Sequence, residues 1–133
     1  MLKLFTSPSC TSCRKARAWL VEHNIDFEER NIIVNPLNII ELKDILAMTE
    51  NGTEDLISTR SKAFASLDIN LENLNLKQLL ELLVINSALI RRPLIISKNH
   101  LQIGYNEDEI RCFLPRNVRR LELLKAQVMA GLI

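Results

Sequence analysis

The chain has 133 residues, of which 47% are hydrophobic, a size and composition that suit one domain with one core. Seventeen Lys and Arg residues face 16 Asp and Glu residues, so the formal net charge of +1 excludes a global attraction to nucleic acid or to membranes. No stretch has the pattern of a signal peptide or a membrane span. We therefore expect a soluble cytoplasmic protein, with residues 1–133 forming a single domain and no membrane partner.

The first third of the chain predicts a strand, a helix and a second strand. Residues 2–6 are an apolar run that ends before Ser7-Pro8-Ser9, as in a buried strand followed by a loop. A helix is predicted to begin after Thr11 or Ser12 as N-cap and to extend to Asn24. Residues 27–33 then alternate between apolar and charged side chains, which indicates a second strand.

The middle of the chain, about residues 35–88, is predicted to be a helical insertion in the same domain. Asn35 followed by proline indicates a helix start, and this helix should end near Gly52, the residue expected after its last turn with a positive φ. One or two brief helices are expected between residues 53 and 67. Asn75 is predicted to cap a clearer helix that continues to about Ala88.

The last third predicts two paired strands followed by helical segments. Residues 94–96 and 101–105 read as a hairpin. Asn106 should cap a helix that ends at residue 113, on which Cys112 is expected to be a small buried thiol. The tail, residues 116–133, could be an amphipathic helix docked on the domain or on a partner. The element order predicts an α/β fold.

Cys10 and Cys13 flank Thr11-Ser12 at the first strand-to-helix joint, where residues three apart have neighbouring Cβ atoms and a disulfide can close. The helix N-terminus, Arg14 and Arg17 should favour the thiolate, and Cys10 is expected to be the more exposed attacker. A zinc half-site and inert packing are the alternatives. Zinc needs about four ligands, and the sequence offers no second paired motif beside Cys112, His23 and His100. We therefore predict redox chemistry with no metal.

Pro93 precedes the predicted third strand, where its peptide bond is expected to be cis and to face the cysteine loop. Arg92 would then point at the same site and bind an anion or a thiolate. A plain loop proline and a solvated arginine are the alternative interpretations.

These motifs together resemble the Spx family of transcriptional regulators, which belongs to the wider arsenate reductase-like group. The segments that carry the resemblance are Thr6-Ser7-Pro8-Ser9-Cys10-Thr11-Ser12-Cys13-Arg14-Lys15-Ala16, Arg60-Ser61-Lys62, Arg91-Arg92-Pro93-Leu94-Ile95, the run from Gly104 to Arg111, and Phe113-Leu114-Pro115-Arg116. The resemblance implies a thioredoxin-like fold with a helical insertion between the second and third strands. It also implies a redox-active disulfide between Cys10 and Cys13, with no catalytic residue and no cofactor.

The partners implied by the resemblance are the C-terminal domain of the RNA polymerase α subunit and a Clp protease with its adaptor. Gly52, Arg60 and Arg92 would be partner-binding residues, and promoter DNA would be met only within the polymerase complex. Basic residues such as Lys62 and Arg91 could contact that DNA or simply be solvated. The protease or adaptor would read the apolar end of the tail, residues 128–133, unless this end is part of a helix that packs on the domain.

Two other functions stay open at this point. An arsenate reductase-like enzyme or a small thiol-disulfide oxidoreductase would use Cys10 as nucleophile. The related reductases resemble H-x-x-x-C-x-x-x-R, whereas this chain has Thr6 at the histidine position and keeps Cys10 and Arg14. The third alternative is a paralogue that binds polymerase whatever its oxidation state. We therefore predict a regulator, not an enzyme.

Overall fold

The structure, a computed structural model, describes residues 1–59, 61–68 and 70–132. The strands are β1 (Leu2–Thr6), β2 (Phe27–Asn31), β3 (Leu94–Ile96) and β4 (Leu101–Ile103). The α-helices are α1 (Thr11–Glu22), α2 (Ile39–Ala47), α3 (Thr53–Leu56), α4 (Lys62–Leu67), α5 (Leu76–Ile85) and α6 (Arg116–Met129). Short 3₁₀ turns cover Leu71–Asn73, Ser87–Leu89 and Glu109–Phe113. This order confirms the predicted β-α-β unit, helical insertion and β-hairpin.

The four strands form one mixed sheet in the order β2-β1-β3-β4. β1 is parallel to β2 and antiparallel to β3, and β3 pairs with β4 as an antiparallel hairpin. A parallel pair needs a crossover connection, and α1 supplies it. The sheet therefore places the end of β1, and the cysteine loop after it, next to the residues that precede β3.

The sheet has a hydrophobic cluster on each face. Because side chains alternate along a strand, the neighbours Leu4 and Phe5 belong to different clusters, and so do Ile95 and Leu94. One cluster joins the sheet to α1, with Trp19 among its buried residues. The other joins the sheet to the helical insertion, with Leu42, Leu56, Leu80, Leu83 and Ile90 among its members. The α1 helix and the insertion thus lie on opposite faces.

The start of α1 differs by one residue from the prediction. Neither Thr11 nor Ser12 is the N-cap, because Cys10 holds that position in an extended conformation and its Sγ accepts a hydrogen bond from the Cys13 backbone N–H. The helix ends at Glu22, and β2 ends at Asn31 rather than at residue 33. The cysteine motif itself therefore begins the helix.

The largest correction concerns α2, which does not begin at Asn35-Pro36. The Arg30 guanidinium donates hydrogen bonds to the carbonyl oxygens of Asn35 and Pro36, and both residues lie outside any helix. The helix begins after Asn38, whose side chain accepts from the Glu41 N–H while Glu41 Oε1 accepts from the Asn38 N–H. Two hydrogen bonds of this capping box outweigh the single advantage of a proline in the first turn.

Gly52 is not the residue that ends α2, because α2 already ends at Ala47. Its positive φ was predicted and is observed, at φ 68° and ψ −133°. This conformation is open mainly to glycine, and here it turns the chain into the start of α3. Gly52 therefore separates two helices of the insertion.

The remaining elements agree more closely with the sequence. Asn75 caps α5 through a second capping box, with Gln78, but α5 ends at Ile85 and a 3₁₀ turn follows. Asn106 accepts from the N–H groups of Asp108 and Glu109, and the segment after it is a 3₁₀ turn rather than an α-helix. Cys112 in that turn is half-buried, whereas the sequence predicted a small buried thiol.

The tail forms α6, but it is barely docked. The helix has no buried residue, and only Val118 is partly buried against the α1-side cluster. Its large apolar side chains are exposed, up to 90% for Met129. Among the helices of the described ranges, none is long and apolar enough to cross a membrane.

Candidate redox site

The site begins where β1 ends and α1 starts. Cys13 donates its backbone N–H to Cys10 Sγ at an N···S distance of 3.2 Å, so the sulfur occupies the place where an N-cap oxygen would normally be. Both residues are free cysteines in the structure. The sulfur of Cys10 is therefore held at the positive end of a 12-residue helix, a position that favours a negative charge.

The two cysteines differ in exposure in the direction the sequence predicted. Cys10 is half-buried, whereas Cys13 is only 1% exposed and lies in the interior. Burial raises the pKa of Cys13 to about 12, from an ordinary value of 9.0, and the hydrogen bond with Cys10 acts in the same direction. Cys13 is thus a protonated thiol at neutral pH, and Cys10 is the sulfur that solvent can reach.

A cleft of about 240 Å³ opens at Cys10. Its lining residues are Cys10, Ser58, Arg91, Arg92, Ile103 and Gly104. The peptide bond between Arg92 and Pro93 is cis, as predicted, and Pro93 is buried. Arg92 lies close enough for its positive charge to oppose the rise in the pKa of Cys13. The structure therefore brings Arg92 and Cys10 together, and it shows a place for an anionic group beside the sulfur.

A polar network on the other side of the cysteines was not predicted. Glu29 on β2 accepts two hydrogen bonds from Arg17 of α1, and Thr6 at the end of β1 donates a third. Arg17 holds the pKa of Glu29 below its usual range. The sequence drew attention to Thr6, because this residue occupies the position of the reductase histidine. It did not identify Glu29 as the hydrogen-bond partner of Thr6.

Gly52 and Lys62 do not line the cysteine cleft. A Cβ atom added at Gly52 would meet nothing within 4 Å. Arg60 lies outside the described residues. Lys62 is exposed at the start of α4.

The insertion is nevertheless tied to the cleft by its backbone. Ser58 N–H donates to the Leu89 carbonyl and Arg91 N–H to the Leu56 carbonyl, each at 2.7 Å. The two bonds flank an isolated antiparallel bridge between Ile57 and Ile90. The segment that follows α3 is therefore joined directly to the segment that carries Arg91 and Arg92.

The residues considered for a zinc site are dispersed. His23 stacks on Trp19 and contacts its carbonyl oxygen, and His100 packs edge-on against Phe113. Within residues 1–59, 61–68 and 70–132, no three His, Cys, Asp or Glu side chains are grouped to hold a metal ion. The cysteine pair thus has thiol chemistry available to it, with its charged neighbours Arg92 and Arg17.

Comparison with known sequences gives the family. Residues 5–113 match the ArsC family. The global transcriptional regulator Spx of Enterococcus faecalis is 65% identical over 132 residues, which cover 99% of this chain and 100% of that protein. The regulators of the same name from Oceanobacillus iheyensis, called Spx 1, and Listeria monocytogenes EGD-e are each 60% identical over 131 residues, covering 98% of this chain and 100% of theirs.

Comparison with solved structures gives the fold. A Staphylococcus aureus COL protein, solved by NMR in solution, is 30% identical, with a TM-score of 0.76 over 86% of this chain and 100% of that one. The arsenate reductase of Vibrio cholerae, at 17% identity, has a TM-score of 0.74 over 85% of this chain and 97% of its own, which shows a shared fold alone. The predicted ArsC-type, thioredoxin-like fold is confirmed. The chain belongs to the ArsC family and, within it, to the Spx group of transcriptional regulators.

Proposed function

We propose that this protein is a redox-sensing global transcriptional regulator of the cytoplasm. It binds the C-terminal domain of the RNA polymerase α subunit and responds to thiol oxidation by closing a disulfide between Cys10 and Cys13. The observation that carries the proposal is the placement of a reachable Cys10 sulfur, capped by the Cys13 N–H and bordered by Arg92, one helical turn from a buried partner thiol.

The chemistry of the switch follows from this arrangement. Cys10 as thiolate attacks a peroxide or a small disulfide, breaks its O–O or S–S bond and releases one half of it, and the Cys13 sulfur then displaces the other half from Cys10. One S–S bond forms between the cysteines, one electron pair in total passes to the oxidant, and each released half takes up one of the two thiol protons. Burial keeps Cys13 protonated, so the second step needs a local opening of the helix start.

The change can reach a partner surface through the residues beside the cleft. Arg92 borders the sulfur, and its neighbour Arg91 is joined through its backbone N–H to Leu56 at the end of α3. α3 begins directly after Gly52. Gly52 is therefore connected to the redox site through the backbone of α3 and the bond from Arg91 to Leu56, and the proposed binding surface consists of Gly52 and Arg92 together with the predicted Arg60.

The test is the affinity of the purified full-length chain for the polymerase α C-terminal domain, measured by fluorescence anisotropy in reduced and oxidised form. Glu54 is exposed two residues after Gly52, so Glu54→Lys should weaken binding at least about tenfold if the partner contacts this surface. Glu81→Lys, on an exposed face of α5, makes the same charge change and should bind normally.

Three outcomes separate the hypotheses. We expect the oxidised form to bind more tightly than the reduced form. This difference in affinity should disappear in Cys10→Ala and remain in Cys112→Ala. Equal binding by both forms would replace the switch with the redox-independent paralogue. No binding in either form would overturn the proposed function.

An arsenate reductase-like or oxidoreductase activity is the second candidate, because Cys10 and Arg92 border a cleft that could hold an oxyanion. One feature disfavours it. Thr6 replaces the reductase histidine, and its hydroxyl donates a hydrogen bond to Glu29. Arsenate turnover coupled to a glutaredoxin or thioredoxin would establish this activity.

The remaining proposed partner, a Clp protease with its adaptor, would bind the C-terminal tail. We propose that the end of α6 and the residues after it are read by a Clp protease and its adaptor, since Val128, Met129 and Leu132 are all exposed. Promoter DNA is contacted only inside the polymerase complex, in keeping with the net charge of +1.

A further inference from the structure

The ion pair between Arg17 and Glu29 is better organised than a usual surface pair. Arg17 Nε lies 2.5 Å from Glu29 Oε1 and Nη2 lies 2.7 Å from Oε2, so the guanidinium and the carboxylate meet as two parallel forks. Thr6, which is 2% exposed, adds its hydroxyl at 3.1 Å from Oε2. The Glu29 carboxylate on β2 is thus held by Thr6 of β1 and itself holds Arg17 of α1.

Arg17 also lies within electrostatic reach of the redox pair. It follows Cys13 by four residues on α1, which places both on one face of the helix. The charges of Cys13 and Cys10 contribute to the raised pKa of Arg17, after the larger effect of Glu29. The interaction is mutual, so the positive charge of Arg17 stabilises a negative charge that develops at this end of α1. Glu29 opposes this stabilisation, because its negative charge is paired with Arg17 and offsets the positive charge of the guanidinium.

We propose that Glu29 is a positioning residue that holds Arg17 in a neutral pair, and that it thereby limits how much positive charge stabilises the thiolate of the cysteine pair. The inference rests on the proposed redox function and adds that Glu29 sets the pH at which the cysteine pair becomes reactive. With Glu29 in place, the charge of Arg17 is largely compensated, and the helix N-terminus and the arginines of the cleft remain to favour the thiolate. Without it, Arg17 adds an uncompensated charge and the pair reacts at lower pH.

The experiment measures alkylation of the reduced full-length protein by iodoacetamide between pH 6 and pH 9, with mass spectrometry to assign the cysteine. Glu29→Gln should raise the rate at pH 7 about threefold and shift the midpoint of the rate profile to lower pH. Arg17→Gln should slow the reaction, because Glu29 is then an unpaired negative charge. The double variant should return to the wild-type rate, and Glu29→Asp should keep it.

The control is Glu28→Gln, which removes the same charge one residue away on β2. Successive strand residues point to opposite faces, so this exposed carboxylate does not share the site of Glu29. Its alkylation profile should match wild type. A high salt concentration should reduce the difference between Glu29→Gln and wild type, since the effect is electrostatic.

Equal rates in wild type, Glu29→Gln and Arg17→Gln would overturn the proposal. So would a faster reaction in both single variants, which would indicate a loosened α1 instead of a charge effect. Fluorescence of Trp19 and near-UV circular dichroism show whether each variant is folded. The readout uses no polymerase, so a failure to bind the α C-terminal domain would refute the proposed function and leave this inference standing.

Discussion

Cys10 and Cys13 are separated by two residues, yet the fold gives them opposite properties. Cys10 ends an extended segment and borders the arginine-lined cleft, whereas Cys13 is in the first turn of α1 and faces the interior. Burial keeps the Cys13 thiol neutral and raises its pKa to about 12. The pair is therefore asymmetric, because the Cys10 sulfur is accessible to an oxidant and the Cys13 sulfur is buried.

This asymmetry predicts how stability depends on pH. In the unfolded chain Cys13 ionises near its ordinary pKa of 9.0, while in the folded protein it keeps its proton to about pH 12. Its stabilising contribution is complete below pH 9 and is lost as the pH rises toward 12. The free energy of unfolding should fall more steeply above pH 9 in wild type than in Cys13→Ser, by up to about 1.4 kcal/mol per pH unit. Urea titrations between pH 8 and pH 10.5 measure the two slopes, and parallel curves would contradict the expectation.

Among the elements, α2 shows what decides a helix start in this chain. The first polar residue before the apolar pattern is Asn35, but Arg30 reaches across from β2 and binds the carbonyls of Asn35 and Pro36. Its guanidinium also pairs with Glu41, which is the second half of the capping box. The start of the helix is therefore fixed jointly by a local cap and by a residue on a neighbouring strand.

Removing that cap should have a measurable cost. Asn38→Ala deletes the acceptor for the Glu41 N–H and should lower the free energy of unfolding by about 1 kcal/mol. Asn73→Ala is the matched control, because Asn73 is exposed and caps no helix; its effect should stay within about 0.5 kcal/mol. Denaturant unfolding followed by Trp19 fluorescence distinguishes them, and equal effects of the two changes would show that the Asn38 cap contributes little.

Most of the elements could be predicted from the sequence, because each has a local pattern. The cap at Asn75 and the hairpin after Pro93 are examples. The start of α2 and the network around Glu29 could not, since both depend on residues that are distant in sequence and meet only in the folded sheet. At the redox site, the relative exposure of the two cysteines and the position of Arg92 were predicted. The cleft, the high pKa of Cys13 and the contact between Thr6 and Glu29 required the structure.

At the scale of the molecule, burial is concentrated on the two faces of the sheet and stops at Leu114. Beyond it, α6 contributes the partly buried Val118 and an exposed ion pair between Arg111 and Glu122. Exposed ion pairs add little to stability. The chain therefore consists of a packed body and a helix whose apolar side chains are left without a covering surface in the described residues.

Deleting residues 116–133 should accordingly leave the body intact. The midpoint of thermal unfolding should fall by less than about 5 °C, because only Val118 loses substantial packing. The same truncated chain should be degraded more slowly by the Clp protease and adaptor than the full chain. Leu20→Ala, which empties a fully buried position, is the destabilised control. A large drop in the midpoint for the truncated chain would show that α6 is docked on the body.

The bridge between Ile57 and Ile90 connects the helical insertion to the segment beside the redox site. Its two backbone hydrogen bonds join residues 56–58 to residues 89–91, one residue before Arg92. The α1 helix and the insertion pack in separate hydrophobic clusters on opposite faces of the sheet. We therefore expect a shift of the cysteine loop to reach the insertion along the rim of the sheet, through this backbone contact, and not through side chains packed in the core.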